Sequence, residues 1–385
     1  MLDKLKETLD LLEEKYISVW NDICNIESPT WDKAGVDAVG EYCATLGKAL
    51  EYKIETKQIK TAGNVVIITM NPDAVGKPFC ISGHMDTVHE KGSFGTPAAK
   101  IKDGRIYAPG ALDCKGGIVA GLYAMETMKI LGYKTRPVMM LLESDEEDGS
   151  SSSNKETINY ICERAKGAVG FLNLEGFTTK DYCCIQRKGI ITYKFTVTGI
   201  EAHSSECAKR GANAILEAAY KILEIEKIKD DGGITCNTGT ITGGSVPNTV
   251  AGSCEFKVNV RYKNANERKW IDEHLRNIAK TTHVKGCKCD IEIVTTRLAM
   301  EYTERNVLFL EKINRALEKT GYPTLNGAFR KGGSDAAEIT SIGIPCIDSI
   351  GVSGGGIHSA NEFADIDSLK FSAGRIASII MNFED

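Results

Sequence analysis

Five strand-like segments of this chain each run straight into a carboxylate or an imidazole, and that recurrence constrains the fold more than any other feature. "PFCIS" (78–82) is followed by His84-Met85-Asp86, and "RIYAP" (105–109) by Gly110-Ala111-Leu112-Asp113. "RPVMMLLE" (136–143) leads into Asp145-Glu146-Glu147-Asp148, and "AVGFLNL" (168–174) into Glu175. "GIPCIDSI" (343–350) leads through a glycine-rich loop to His358. Short apolar runs bounded by turn residues read as buried strands. Helical patterns at 117–131 and 154–165 separate some of them, and others follow at 305–319 and 366–382. This alternation predicts an α/β domain with a central, mostly parallel sheet between helices. In open sheets of that kind, sites lie beyond the carboxyl ends of the strands, where all five polar clusters fall.

The texture changes in the middle of the chain. "GIITYKFTVTG" (189–199) alternates as a half-exposed antiparallel strand does, and "SCEFKVNVRY" (253–262) behaves likewise. With helical patterns at 212–228 and 266–281, this region predicts a compact α+β unit inserted into the first domain. The expected boundaries are 1–186 and 297–385 for the outer domain and 187–296 for the insert. A chain of 385 residues exceeds what one core usually supports, so two domains are expected.

Several function classes are disfavoured by composition. The formal net charge is -5, and no basic stripe interleaved with aromatics occurs, so nucleic acid is not an expected partner. No apolar run of about 18 residues is present, so no membrane span is expected. The acidic, amphipathic opening lacks the apolar core of a secretion signal, and a cytoplasmic location is expected. Thirteen cysteines are scattered without any CxxC pair, which argues against a cysteine-based zinc site and for small buried apolar side chains.

The acidic run 145–148 is physically awkward. Carboxylates converging in one cleft repel one another and are forced to take up protons unless a dication is present. Imidazoles with carboxylates and no thiolates suit zinc, with cobalt or manganese as alternatives. A carboxylate beside such ligands, itself unbound, is suited to act as general base.

On these motifs the chain resembles the M20 family of co-catalytic metallopeptidases, most nearly the glutamate carboxypeptidase type. "GHMDTV", "RIYAPGALDCKGGI", "ESDEEDGS", "GGSVPNTV", "GGSDAA" and "GGGIHSANEF" match its motifs in family order over nearly the whole chain. The resemblance implies a homodimer whose inserted domain serves as lid and dimerisation domain. It implies two divalent cations bridged by Asp113, one also held by His84 and Glu175, the other by Glu147 and His358. Glu146 would be the general base and Asp86 would orient His84 from behind. A cis peptide bond at Asp113–Cys114 is implied too. In the insert, "AHSSECAKRGANAI" resembles the family's second histidine motif, so His203 would stabilise the oxyanion in the partner's site, while Asn248 and Arg261 would clamp the substrate's terminal carboxylate. One departure is Gly176, where the family often has proline after the ligand glutamate.

The resemblance therefore implies hydrolysis of an amide bond next to a free carboxylate, in a small peptide. An N-acyl-amino-acid deacylase or desuccinylase carries the same motifs. Two further readings are a catalytically silent, metal-stabilised binding protein and a cysteine hydrolase using Cys114 or Cys207 near His203. His89, His274 and His283 are read as ordinary structural histidines.

Overall fold

The computed structural model describes residues 2–177, 179–207, 209–230 and 233–384. The chain opens with α1 (Leu2–Asn25), which buries Leu5, Leu9, Leu12, Tyr16 and Trp20 along one face. The Asp32 carboxylate caps α2 (Lys33–Ala49) by accepting the Gly35 N–H. There follow β1 (Lys53–Lys57), β2 (Val65–Met70), β3 (Phe79–His84), β4 (Lys100–Lys102), β5 (Arg105–Tyr107) and α3 (Lys115–Ile130). Next come β6 (Val138–Glu143), α4 (Glu156–Ala165), β7 (Gly170–Asn173) and β8 (Tyr182–Arg187). The middle contributes β9 (Gly189–Thr198), α5 (Ala214–Ile225), β10 (Thr235–Gly243), β11 (Ser253–Tyr262), α6 (Ala265–Lys280) and β12 (Lys288–Arg297). The chain closes with α7 (Glu304–Glu318), β13 (Asn326–Arg330), α8 (Ala336–Ser341), β14 (Cys346–Asp348), β15 (Gly354–Gly355), β16 (Phe363–Asp365) and α9 (Asp367–Asn382).

These elements form two compact units, one of 1–185, 302–329 and 338–385, the other of 186–301 and 330–337. The first is built on an eight-stranded sheet ordered β1-β2-β6-β3-β7-β14-β8-β13. Its middle strands β6, β3, β7 and β14 are parallel, whereas β2 and β8 join antiparallel, so the sheet is mixed with a parallel centre. Every residue of β2, β3 and β6 is buried, as expected for strands covered on both faces.

α3 is buried from Lys115 to Met128 and packs against both α1 and α9. Tyr123 stacks on Tyr16 at 4.5 Å between ring centroids. The start of α3 comes so near the exit of β7 that a Cβ on Gly117 would lie 2.0 Å from Leu174 O. Only glycine permits that approach, and it draws the Asp113 turn towards the segment carrying Glu175.

The second unit is a four-stranded antiparallel sheet, β10-β11-β9-β12, against which α5 and α6 pack. β9 alternates buried and half-buried residues along its length, as its sequence predicts. The core includes Phe195 stacked on Phe256 at 4.7 Å. Lys221 is buried within it, 3.0 Å from Glu217, and its Nζ donates to Ile278 O (2.8 Å) and Ala279 O (3.2 Å). That cation closes the carboxyl end of α6 and so has a structural role.

Eleven of the thirteen cysteines are buried, and burial pushes the thiols of Cys24, Cys43 and Cys80 up to about 12. They behave as apolar side chains. Among the described residues, no helix is long and apolar enough to cross a membrane.

Candidate functional site

The carboxyl ends of the parallel strands and the loops beside them bring seven of the sequence-predicted residues together. β3 ends on His84, β6 delivers the turn 144–149, and the segment leaving β7 carries Glu175. Asp113 sits in the turn just before α3, whose N-terminal dipole favours a negative charge there. His358 lies in the loop between β15 and β16 and has φ 60, in the left-handed region usually left to glycine.

Asp113 is the hub. Its Oδ1 lies 3.1 Å from His84 Nε2, and its Oδ2 lies 3.3 Å from His358 Nε2. Glu175 Oε1 stands 3.6 Å from His84 Nε2, and Glu147 Oε2 stands 3.3 Å from His358 Nε2. One donor atom each from His84, Asp113 and Glu147 fall within 4.8 Å of one another, and the same holds for His84, Cys114 and Glu175. The Asp113–Cys114 peptide bond is cis, as the motif implied.

Behind this group, Asp86 is fully buried and ties two strand ends together. His84 Nδ1 lies 3.0 Å from Asp86 O and 3.3 Å from Asp86 Oδ1. A carbonyl oxygen can only accept, so Nδ1 carries the proton and Nε2 is the nitrogen presented to Asp113. The Asp86 carboxylate also accepts the N–H groups of Glu146 (3.2 Å) and Glu147 (3.1 Å) and the Thr30 hydroxyl (2.8 Å).

The acidic run therefore divides into separate tasks. Asp145 is structural, accepting the Ser153 N–H (2.8 Å) and the Thr157 hydroxyl (2.6 Å). Asp148 is exposed and caps the next turn through the N–H groups of Ser151 and Ser152. Glu146 and Glu147 are left at the cluster.

Electrostatics reflects the crowding. Burial drives the Glu147 carboxyl up to about 7, helped by the Asp113 charge and opposed by the His358 hydrogen bond. Burial, then repulsion from Asp113, likewise raises Glu175 well above the usual carboxylate range. Asp113 moves the other way: burial opposes it, but hydrogen bonds from His358 and His84 hold its carboxyl far below that range. Hydrogen bonds to Asp113 and Glu147 hold His358 up to about 10. Burial acts to lower His84, yet Cys114, Asp113 and Asp86 outweigh it and raise the imidazole.

These residues fit a pair of divalent cations. Buried carboxyls pushed upward beside one another are the groups whose repulsion a dication would relieve. Cys114 does not join the ligands readily, because a thiolate is required and burial keeps its thiol well above the usual range, donating to Leu174 O at 3.4 Å. The same raised thiol argues against Cys114 as a nucleophile. Gly176 has a local reason: a Cβ there would lie 2.4 Å from Leu112 Cδ1 and 2.8 Å from Leu112 O.

The remaining three sequence-predicted residues lie in the second unit. His203 Nδ1 is 2.8 Å from the Ser205 hydroxyl, and the imidazole is exposed. Asn248 is exposed beside it, with Ser204 N donating to Asn248 O at 3.0 Å. Arg261 lies on β11 opposite Ile190 and donates to Lys331 O at 2.6 Å. His203 follows the far end of β9 and Asn248 precedes the far end of β11, so these two sit about 30 Å along the strands from Arg261. Within one copy of this unit, Asn248 and Arg261 stand at opposite ends of the sheet.

Sequence reasoning missed Thr30 and Glu362, and it set His89 aside. His89 Nε2 in fact lies 2.7 Å from buried Glu362, beneath the Asp113 turn. His274 stacks on Trp270, and His283 pairs with Glu224, as ordinary structural histidines do.

Residues 80–382 match the model of peptidase family M20/M25/M40. The chain is 28% identical over 377 residues to carboxypeptidase G2 of Pseudomonas sp. (strain RS-16), covering 95% of this chain and 88% of the relative. It is also 28% identical over 290 residues to succinyl-diaminopimelate desuccinylase of Rickettsia felis, covering 69% and 73%. Among solved structures, the YXEP protein of Bacillus subtilis, a dinuclear metal-binding peptidase from the M20 family, superposes with a TM-score of 0.72 at 13% identity, covering 97% of this chain and 98% of that one.

Proposed function

The chain belongs to peptidase family M20/M25/M40 and is a hydrolytic enzyme; from that premise we propose a dimetal hydrolase that cleaves the amide bond next to a free carboxylate in a small peptide, in the manner of a glutamate carboxypeptidase. The observation that carries this reading is the two-sided use of Asp113, with one oxygen towards His84 and the other towards His358. His84 and Glu175 would hold one cation, Glu147 and His358 the other, with Asp113 shared. The donor set suits zinc, with cobalt or manganese as alternatives. When bound, such ions polarise a carbonyl and lower the pKa of water.

The chain's own residues supply the rest. Glu146 would take the proton from the attacking water and return it to the departing amine. Asp86 keeps His84 in the tautomer that offers Nε2 and fixes the 146–147 backbone relative to it. His358, with its side chain 56% exposed, marks the open side of the cluster, whereas His84 on the other flank is buried. Arg261 is suited to a substrate carboxylate, and His203 with Asn248 to a second copy's site. A homodimer is supported by the outer face of α5, where Ile215, Leu216, Tyr220 and Leu223 are exposed. The cytoplasmic location expected from the sequence fits cysteines that are mostly buried as small apolar side chains.

A second reading, N-acyl-amino-acid deacylase or desuccinylase, is favoured by the likeness to the Rickettsia felis enzyme. A panel of peptides ending in glutamate, set against N-succinyl and N-acetyl amino acids, separates the two. Each is assayed before and after chelation and again with zinc, cobalt or manganese restored. Turnover of the C-terminal-glutamate peptides, lost on chelation and regained with metal, is expected. Turnover confined to N-acyl substrates would favour the second reading, and full activity in chelator would sink both.

A further inference from the structure

We infer that Glu362, locked by His89, is a positioning residue that fastens the Asp113 turn to the His358 loop and so sets the Asp113–His358–Glu147 pocket. The inference rests on the dimetal reading above. Glu362 is 1% exposed, and its carboxylate is saturated. Oε1 accepts the N–H groups of Leu112 (2.8 Å) and Asp113 (3.0 Å). Oε2 accepts the Gly110 N–H (3.2 Å) and lies 2.7 Å from His89 Nε2. Three amides of the turn that carries Asp113 thus depend on one side chain, and buried amides without acceptors are costly. His89 is itself held edge-on against Phe94, at 5.0 Å between centroids.

The position of Glu362 in the chain gives this clamp its direction. It lies four residues beyond His358 in the same loop, through turns closed by Ser359 N to Gly356 O (3.0 Å) and Glu362 N to Ser359 O (3.1 Å). His84 rides on the end of β3, paired with Glu143 of β6 in the parallel ladder, and Glu175 follows β7, the strand on the other side of β3. Those two are placed by the sheet. His358 is exposed and comes from a loop, so its spacing to Asp113 depends on Glu362. Removing the clamp should loosen the His358 pocket most, and the other only through the shared Asp113.

The test compares wild type, Glu362→Gln and His89→Phe, with zinc as the probe. Zinc bound per chain is measured against buffered free zinc, together with kcat, KM and the melting temperature of the chelated protein. A glutamine offers one acceptor oxygen where the carboxylate offers two. The expected result for Glu362→Gln is one zinc bound about 10–100-fold more weakly, and the other, which shares only Asp113 with it, weakened clearly less. Its kcat should recover as zinc is raised, with KM unchanged. His89→Phe, which leaves all three backbone bonds in place, should shift the same zinc in the same direction by less, and it carries the test if Glu362→Gln does not fold. Wild-type affinity for both ions, with only a lower melting temperature, would make the clamp merely structural and overturn the inference. Equal weakening of both ions would overturn it too. A wild type that binds fewer than two zinc ions overturns the dimetal reading itself, a result recognisable before any variant is made.

Discussion

The two units hold their candidate residues in opposite ways. In the first, His84, Asp86, Asp113, Glu146, Glu147 and Glu175 are packed into one cluster with hydrogen bonds to one another or to a shared backbone. In the second, His203 and Asn248 are exposed, Arg261 is partly so, and they stand at opposite ends of one sheet. The cluster is costly by itself, since burial and then repulsion from Asp113 raise Glu147 and Glu175, and it becomes favourable only when positive charge enters. The exposed residues carry no such cost, and they act only when something else is brought to them.

That contrast can be broken most sharply at Glu146. Glu146→Gln should cut kcat by about 10²–10⁴-fold while bound zinc stays as in wild type; full activity in that variant, measured by steady-state kinetics, would remove the base from the cluster. At the other pole, His203→Ala should cost about 10²–10³-fold in kcat, the scale of losing one oxyanion donor. If His203 serves a second copy, mixing inactive Glu146→Gln and His203→Ala chains should restore part of the activity. No recovery in the mixture would place His203 in its own chain's site. Asp86→Asn should weaken metal affinity or activity by about 10–100-fold, because His84 loses the negative charge beside its Nδ1 and the 146–147 amides keep one acceptor oxygen instead of two.

The smallest effect is a pH dependence. In the metal-free cluster Glu147 sits near 7 and His358 near 10, both above their ordinary values, and each must release its proton to ligate. Cation affinity should therefore rise with pH, steeply below about 7 where both protons are displaced and less steeply above it. Each displaced proton contributes up to about tenfold per pH unit. Zinc competition against a chelator at several pH values checks this, and a flat profile would show that the cluster is not charged by protons when empty.

Much of the first unit was readable along the chain. Each apolar run that became a strand was marked by length and composition, and the polar residue at its tip followed within a few positions. Strand direction on either side of the parallel centre was less readable: β2 and β8 join the sheet antiparallel, although nothing local separates them from the parallel β6 and β7. The site's inner supports were less readable still. Glu362 reaches Asp113 N across 249 positions of sequence, and Thr30 reaches Asp86 across 56. A side chain whose partner is a backbone amide leaves no pattern, because every residue but proline offers the same amide.

By itself the sequence determined which stretches would be buried strands, where acid and imidazole groups would emerge, and that their crowding calls for cations. Periodicity and residue type are local quantities, and those conclusions need nothing more. Which of four consecutive acids face the cluster, which nitrogen of His84 is presented, and what holds the Asp113 turn were decided only when distant segments met. Those outcomes depend on hydrogen bonds and desolvation between groups far apart in the chain, and such energies do not exist until the fold closes around them.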